Sequence, residues 1–134
     1  MNEVFSPARS MKTIWTGRVL SALPVLLFFV TGTFALLKPA AALQGSAKYG
    51  YAEADLQRII LVELACAILY AIPRTSVLGA LLLTGYLGGA TATHVRIGEP
   101  FFFPVLVGIV VWLGLYLRDD RLRALVPLRS PNQQ

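Results

Sequence analysis

Four apolar stretches set the terms for this chain: Val19 to Leu37 without a charge, Leu56 to Ile72 interrupted by Arg58 and Glu63, Val77 to Val95, and Pro100 to Leu117. A helix needs ~20 mostly apolar residues to cross a membrane, with ~17 as the short limit. No water reaches the backbone inside lipid, so each run must satisfy its own amides as a helix. The sequence therefore predicts an all-α, polytopic membrane protein, a four-transmembrane-helix bundle with spans over residues 17–37, 55–72, 76–95 and 101–118 in one domain covering residues 1–134. The second span is the weakest of the four because it carries charge. Helix breakers fall between the runs, at Lys38-Pro39, Pro73-Arg74 and Pro100 through Pro104. Thr75 or Ser76 is placed to cap the third helix.

Composition agrees, since 56% hydrophobic and 14% charged residues lie outside the usual soluble range. The formal charge of +5 does not point to nucleic acid, because the basic residues sit at the ends of apolar runs and are not interleaved with exposed aromatics. "PAAALQG" after the first run imitates a signal-peptide cleavage site, but secretory cores run about 7 to 15 residues, and this longer one is expected to be a retained span. Lys and Arg then set orientation. Arg9, Lys12, Arg18, Arg74, Arg118, Arg121, Arg123 and Arg129 fall on one side and Lys38, Lys48, Arg58 and Arg96 on the other. This predicts cytoplasmic termini, with residues 38–56 and 96–100 facing outward. The tail "RDDRLRALVPLR" reads as an amphipathic surface segment with Leu122, Leu125 and Val126 toward lipid, or as a solvated segment that only sets topology.

The third run, continuing as "LLLTGYLGGATATHVRIGEP", is rich in residues that bury little. In lipid, small residues mark faces where helix backbones approach closely. Ala80, Thr84, Gly88 and Ala92 recur every four residues, and Gly85, Gly89 and Thr93 form a second row beside them. A packing strip is the expectation, with Leu83 turned to lipid; room for a flat ligand or a homodimer contact are the alternatives.

In the second run Ile59, Ile60, Glu63, Cys66, Ala67 and Tyr70 share one helical face, leaving Leu61, Leu64 and Ile68 to lipid. Glu63 lies seven residues from Leu56, about 10 Å below the end of its helix. An ionised carboxylate at that depth is costly, so Glu63 is expected to carry a proton or to be held by a cation or several donors. Tyr86, eight residues inward from His94, reaches a similar level at about 12 Å. Thr31 and Thr33 occupy the outer part of the first run, and His94, Arg96 and Glu99 its rim level. Glu63, Tyr86, His94 and Arg96 are thus the candidate site, a polar pocket open outward. The plainer reading is one interhelical hydrogen bond from Glu63 and a His94 among headgroups.

No catalytic or metal-binding residues are assigned. Cys66 is the single cysteine, there is no Cys-x-x-Cys pair, one histidine cannot give a haem two axial ligands, and no His/Cys/carboxylate cluster has metal-site spacing. "GYLGG" lies inside a span, not after a strand, so it is no dinucleotide fingerprint. No cofactor is evident, and a quinone is the one that stays open.

The segment "LVELACAILYAIPRTSVLGALLLTGYLGGATATHVRIGEPFFFPVLVGIVVWLGLYLRD", Leu61 to Asp119, resembles the DoxX-like membrane proteins: an acidic residue in the second helix, a Pro-Arg-Thr turn, a Leu-Gly-Ala start and a small-residue-rich helix ending near His-x-Arg. The resemblance implies a compact four-helix membrane bundle with cytoplasmic termini, in a bacterial cytoplasmic membrane. Members of the wider family are associated with quinone-linked oxidation of sulfur compounds, and more distant relatives with assembly or trafficking of membrane proteins. Three functions follow as expectations. The first is a non-catalytic membrane anchor or accessory subunit, partnered in the bilayer by another membrane protein or a second copy. The second is a quinone-associated small subunit of an oxidoreductase, with Glu63, Tyr86 and His94 on the quinone ring. The third is a small transporter or lipid-binding protein. An independent enzyme is not expected.

Overall fold

The computed structural model describes residues 10–125, and among them every regular element is a helix. Helix α1 spans Met11–Leu37, α2 Pro39–Ser46, α3 Glu53–Ala71, α4 Ser76–Arg96, α5 Phe102–Arg118 and α6 Asp120–Leu125, with a 3-10 turn at Ala47–Tyr49. α2 was not anticipated. It begins with Pro39, whose fixed φ and missing N–H suit the first position of a helix. Gly50 and Gly98 adopt φ of 73° and 72°, the left-handed region where a side chain is strained, and so permit the turns before α3 and after α4.

α1 and α4 are long and apolar enough to cross a membrane, and α5, at 17 residues, is a shorter apolar helix. α3 has 19 residues but carries Glu53, Asp55, Arg58 and Glu63. Only 22% of the most apolar stretch of α1 and 28% of that of α4 are buried. Leu26, Val30, Leu61, Leu81, Leu106 and Ile109 are each more than half exposed. This outward-facing apolar surface is far more than a soluble monomer presents.

α1 packs on α3 and α5, and α4 packs on the same two helices from the other side, which closes a ring. The closest approaches are made by glycines. A Cβ on Gly114 would lie 2.8 Å from Ser21 N, one on Gly17 2.9 Å from Arg118 N, and one on Gly79 would run into the Tyr70 backbone. Tyr70 is fully buried in the middle of this core. Its hydroxyl sits 3.0 Å from Ser21 Oγ and 2.8 Å from the Val111 carbonyl oxygen, joining α3 to α1 and α5.

The anticipated packing strip on α4 is corrected in part. Ala80 is fully buried, but Thr84, Gly85, Gly88, Gly89 and Ala92 are exposed, and a Cβ on Gly85, Gly88 or Gly89 would meet nothing within 4 Å. Leu83, expected to face lipid, is fully buried. The buried face of α4 runs through Ser76, Gly79, Ala80, Leu83 and Leu87, a single helical stripe, and the small-residue rows flank it. Leu64 also turns inward, since its side chain fills the space beside Gly32. Leu122 packs into the core, whereas Leu125 is exposed and Val126, Arg9 and Arg129 lie outside the described residues. Neither candidate cap closes α4: Thr75 Oγ1 donates to the Leu69 carbonyl at 2.8 Å and Ser76 Oγ to that of Pro73 at 3.1 Å. In this tight Pro-Arg-Thr turn the hydroxyls serve the unpaired carbonyls at the end of α3 before they can reach forward.

Candidate functional site

Glu63 is set on α3 by the same stripe that buries Ile60, Cys66, Ala67 and Tyr70, and its side chain points into the interior. It is 8% exposed. Tyr86 Oη donates to Glu63 Oε2 at 2.6 Å from α4, and Thr31 Oγ1 lies 2.8 Å from Glu63 Oε1 from α1. Phe28 holds the Tyr86 ring edge-on, with centroids 6.0 Å apart. Both carboxyl oxygens therefore have neutral partners on two neighbouring helices.

The Thr31 hydroxyl is also 2.9 Å from the Leu27 carbonyl oxygen. A hydroxyl carries a single proton. If Glu63 is ionised, Thr31 and Tyr86 both donate to it. If Glu63 carries a proton on Oε1, that proton can go to Thr31 Oγ1 while Thr31 gives its own to the Leu27 carbonyl. Both Glu63 oxygens stay paired in either arrangement on the same heavy atoms, and the difference is whether Thr31 gives its proton to Glu63 or to the Leu27 carbonyl.

Above this group lies a cavity of ≈ 500 Å³ between α1, α3 and α4. Its floor is Glu63 and Tyr86, and Gly85 and Gly89 line one wall with no side chain to fill it. The volume falls within the ~300–1,000 Å³ of small-molecule sites, and a mostly apolar lining with few converging polar groups is their usual character.

The outer wall is the connection between α1 and α3, with Ala42, Ser46, Tyr49 and Tyr51 at the cavity. That strap is fastened to the end of α4 and the turn beyond it. Lys48 Nζ donates to both oxygens of Glu99, at 2.7 and 2.9 Å, and Tyr51 Oη lies 2.8 Å from Thr93 Oγ1. The hydrogen bond to Glu99 and the charge beside it hold the Lys48 ammonium above its usual pKa. His94 Nδ1 is 2.8 Å from the Ala90 carbonyl, which can only accept, so the proton of a neutral ring sits there. Nε2 then faces Tyr49 Oη at a loose 3.5 Å.

Of the four residues singled out from sequence, Glu63 and Tyr86 are in direct contact and His94 lines the same cavity. Arg96 is turned away from it, with Nη2 donating to the Tyr49 carbonyl and the guanidinium over the Tyr51 ring. Its place is in fastening the strap. The sequence reading does not single out Tyr49 and Tyr51, and it gives Thr93 only a place in a small-residue row, although the two tyrosines that flank Gly50 are a visible signal of a turn with polar aromatic tips.

A family model described as DoxX-like matches residues 19–114, which takes in the greater part of α1 through α5. No curated protein and no solved structure matches the chain.

Proposed function

The chain belongs to the DoxX-like family of membrane proteins, and on that premise we propose that it is a four-transmembrane-helix subunit of the inner membrane whose outer cavity takes a small, weakly polar ring compound of the quinone class. The observation that carries this reading is the paired Glu63 and Tyr86 at one end of a cavity whose exposed surface is mostly apolar, with the hydroxyls of Tyr49 and Tyr51 and the His94 ring among its other polar groups. A quinone oxygen needs a donor when neutral and a proton when reduced. Tyr86 Oη can turn from Glu63 to such an oxygen, and Glu63 can supply or accept the proton through the alternative arrangement with Thr31. His94 offers a second polar group at the shallow end. Electrons would come from a partner protein. The test is organic extraction of protein purified in mild detergent. Extractable quinone that is lost in Glu63→Gln and in the cavity-filling Gly89→Leu, with the helical fold retained, supports the reading. A wild-type protein that holds none and takes up none when it is added would sink it.

A second reading, a non-catalytic anchor for a partner, rests on a different observation. Thr31 and Tyr86 already satisfy both oxygens of Glu63, so the carboxyl needs no ligand to be stable. Under that reading the partner is captured equally by wild type and Gly89→Leu in a mild-detergent pull-down.

A further inference from the structure

A second, unrelated concavity lies between α4 and α5 on the outside of the ring. It has a volume of ≈ 680 Å³ and is lined by Leu87, Gly88, Pro104, Gly108, Trp112 and Tyr116 among others. A Cβ on Gly88 would meet nothing within 4 Å, and one on Gly108 only a methyl of Leu87 at 3.7 Å, so glycines keep the groove open. Trp112 gives its indole N–H to Thr84 Oγ1 at 2.8 Å, leaving an apolar ring as part of the wall. At one end the groove is lined by Tyr116 of α5 and Leu122 of α6.

From this placement we propose that the groove binds one acyl chain of an anionic phospholipid, with the headgroup phosphate held by Arg121 and Arg123. The length fits. Tyr116 lies twelve residues along α5 from Pro104, about 18 Å at helical rise, against ~15 Å for half of a ~30 Å hydrocarbon core. Charge fits as well. Arg123 lies 5.3 Å over the Tyr116 ring at the mouth of the groove. A guanidinium held by its face keeps its in-plane N–H fork for a phosphate. Asp119 is turned to the α6 backbone, accepting from Arg121 N at 2.9 Å and Leu122 N at 3.3 Å. Among the described residues this end of the molecule carries Lys12, Arg18, Arg74, Arg118, Arg121 and Arg123 against Asp119 and Asp120. The same imbalance argues against a second copy as the occupant. A two-fold dimer through the groove would set two such cationic ends side by side.

The experiment places Trp112 as the only tryptophan, in a Trp15→Phe background, in vesicles of phosphatidylcholine and phosphatidylglycerol. One or the other lipid carries brominated acyl chains at the same mole fraction, and quenching of Trp112 reports which lipid fills the groove. Phosphatidylglycerol is expected to compete about fivefold or more better than phosphatidylcholine, as one to two well-placed arginines at an anionic surface would give. The preference should vanish in Arg121→Gln/Arg123→Gln and persist in Arg58→Gln at the opposite end; all three side chains are exposed, so the fold does not depend on them. Equal quenching by the two lipids in the otherwise unaltered protein overturns the proposal. So does a preference that survives the double substitution, and so does protection of Trp112 from both lipids, which would mean that protein covers the groove.

Discussion

Tyr86 Oη donates to Glu63 Oε2 at 2.6 Å, from α4 to α3, and this contact lies at the floor of a cavity rather than inside a filled core. A carboxyl group at that place could have been satisfied by an arginine or a lysine, which would fix its charge. Instead its partners are two hydroxyls, Tyr86 and Thr31, each able to keep its place whether Glu63 is ionised or protonated. Neutral partners do not fix the charge of the carboxyl, and Tyr86 lines the same cavity.

The first prediction separates shape from acidity at this position. In Glu63→Gln the amide oxygen can accept from Tyr86 and the amide nitrogen can donate to Thr31, so the fold should hold within about 1 kcal/mol. In Glu63→Leu the Tyr86 hydroxyl loses its acceptor in a buried place, which should cost about 1–3 kcal/mol. Thermal unfolding in detergent measures both. Equal stability of the two variants would show that Tyr86 finds another acceptor.

A second prediction concerns the glycines of α4 and inverts what the small-residue rows suggest. Gly88→Leu and Gly89→Leu should be tolerated, because a Cβ at either place meets open space. Gly79→Ala should destabilise by about 1–3 kcal/mol, since the added methyl overlaps the Tyr70 backbone and must push α3 away. Leu83→Ala should cost about 2 kcal/mol or more, as it empties a fully buried site. The same detergent melts rank the four, and a Gly88→Leu variant less stable than Gly79→Ala would contradict the packing described here.

Why the sequence misled at this helix is a matter of rotation. Periodicity finds the rows Ala80, Thr84, Gly88, Ala92 and Gly85, Gly89, Thr93, yet says nothing about which row turns toward α3 and α5. The approach of Gly79 to the Tyr70 backbone of α3 sets that rotation, and Gly79 belongs to neither of the conspicuous small-residue rows. That Glu63 and Tyr86 lie at one level of the bundle was legible, because helical rise converts residue counts from the helix ends directly into height. The strap was not. Its short helix α2 has no buried residue and no strong apolar period, and its meeting with His94, Thr93 and Glu99 depends on contacts across more than forty residues of chain.

The strap gives a third prediction. Lys48→Met should loosen residues 39–51, read as faster amide hydrogen exchange there, with α3 and α4 unchanged. Because Glu99 raises the Lys48 pKa above 10.5, the lysine side of the ion pair stays charged from neutral pH up to that value and is lost as pH climbs through the raised value. Exchange in the wild-type strap should therefore quicken, relative to the rest of the chain, only in strongly alkaline buffer. Added salt should act in the same direction near neutral pH, since both groups are accessible to solvent. Identical exchange in wild type and Lys48→Met would assign the fastening to Tyr51 and Arg96 instead.

The final prediction is topological. The Lys48–Glu99 pair puts the α1–α3 connection and the α4–α5 turn at one end of the molecule, and the approach of Gly17 to Arg118 puts the start of α1 and the close of α5 at the other. Geometry pairs the ends without saying which is inside, and that is decided by charge. Among the described residues, six basic side chains (Lys12, Arg18, Arg74, Arg118, Arg121 and Arg123) lie toward the end opposite the strap, against four toward the strap end, and the excess predicts that the strap faces away from the cytoplasm. In a Cys66→Ala background, a membrane-impermeant thiol reagent applied to intact cells should label Ala47→Cys in the strap. It should leave Ala124→Cys in α6 unlabelled until the membrane is opened. Both positions are exposed, so protection cannot be mistaken for burial in the protein. Labelling of Ala124→Cys with sparing of Ala47→Cys would turn the molecule over, and would place the Glu63 cavity on the cytoplasmic side with the arginine-rich end outside. Labelling of both in sealed cells would mean that the ring of helices does not span the membrane as a unit.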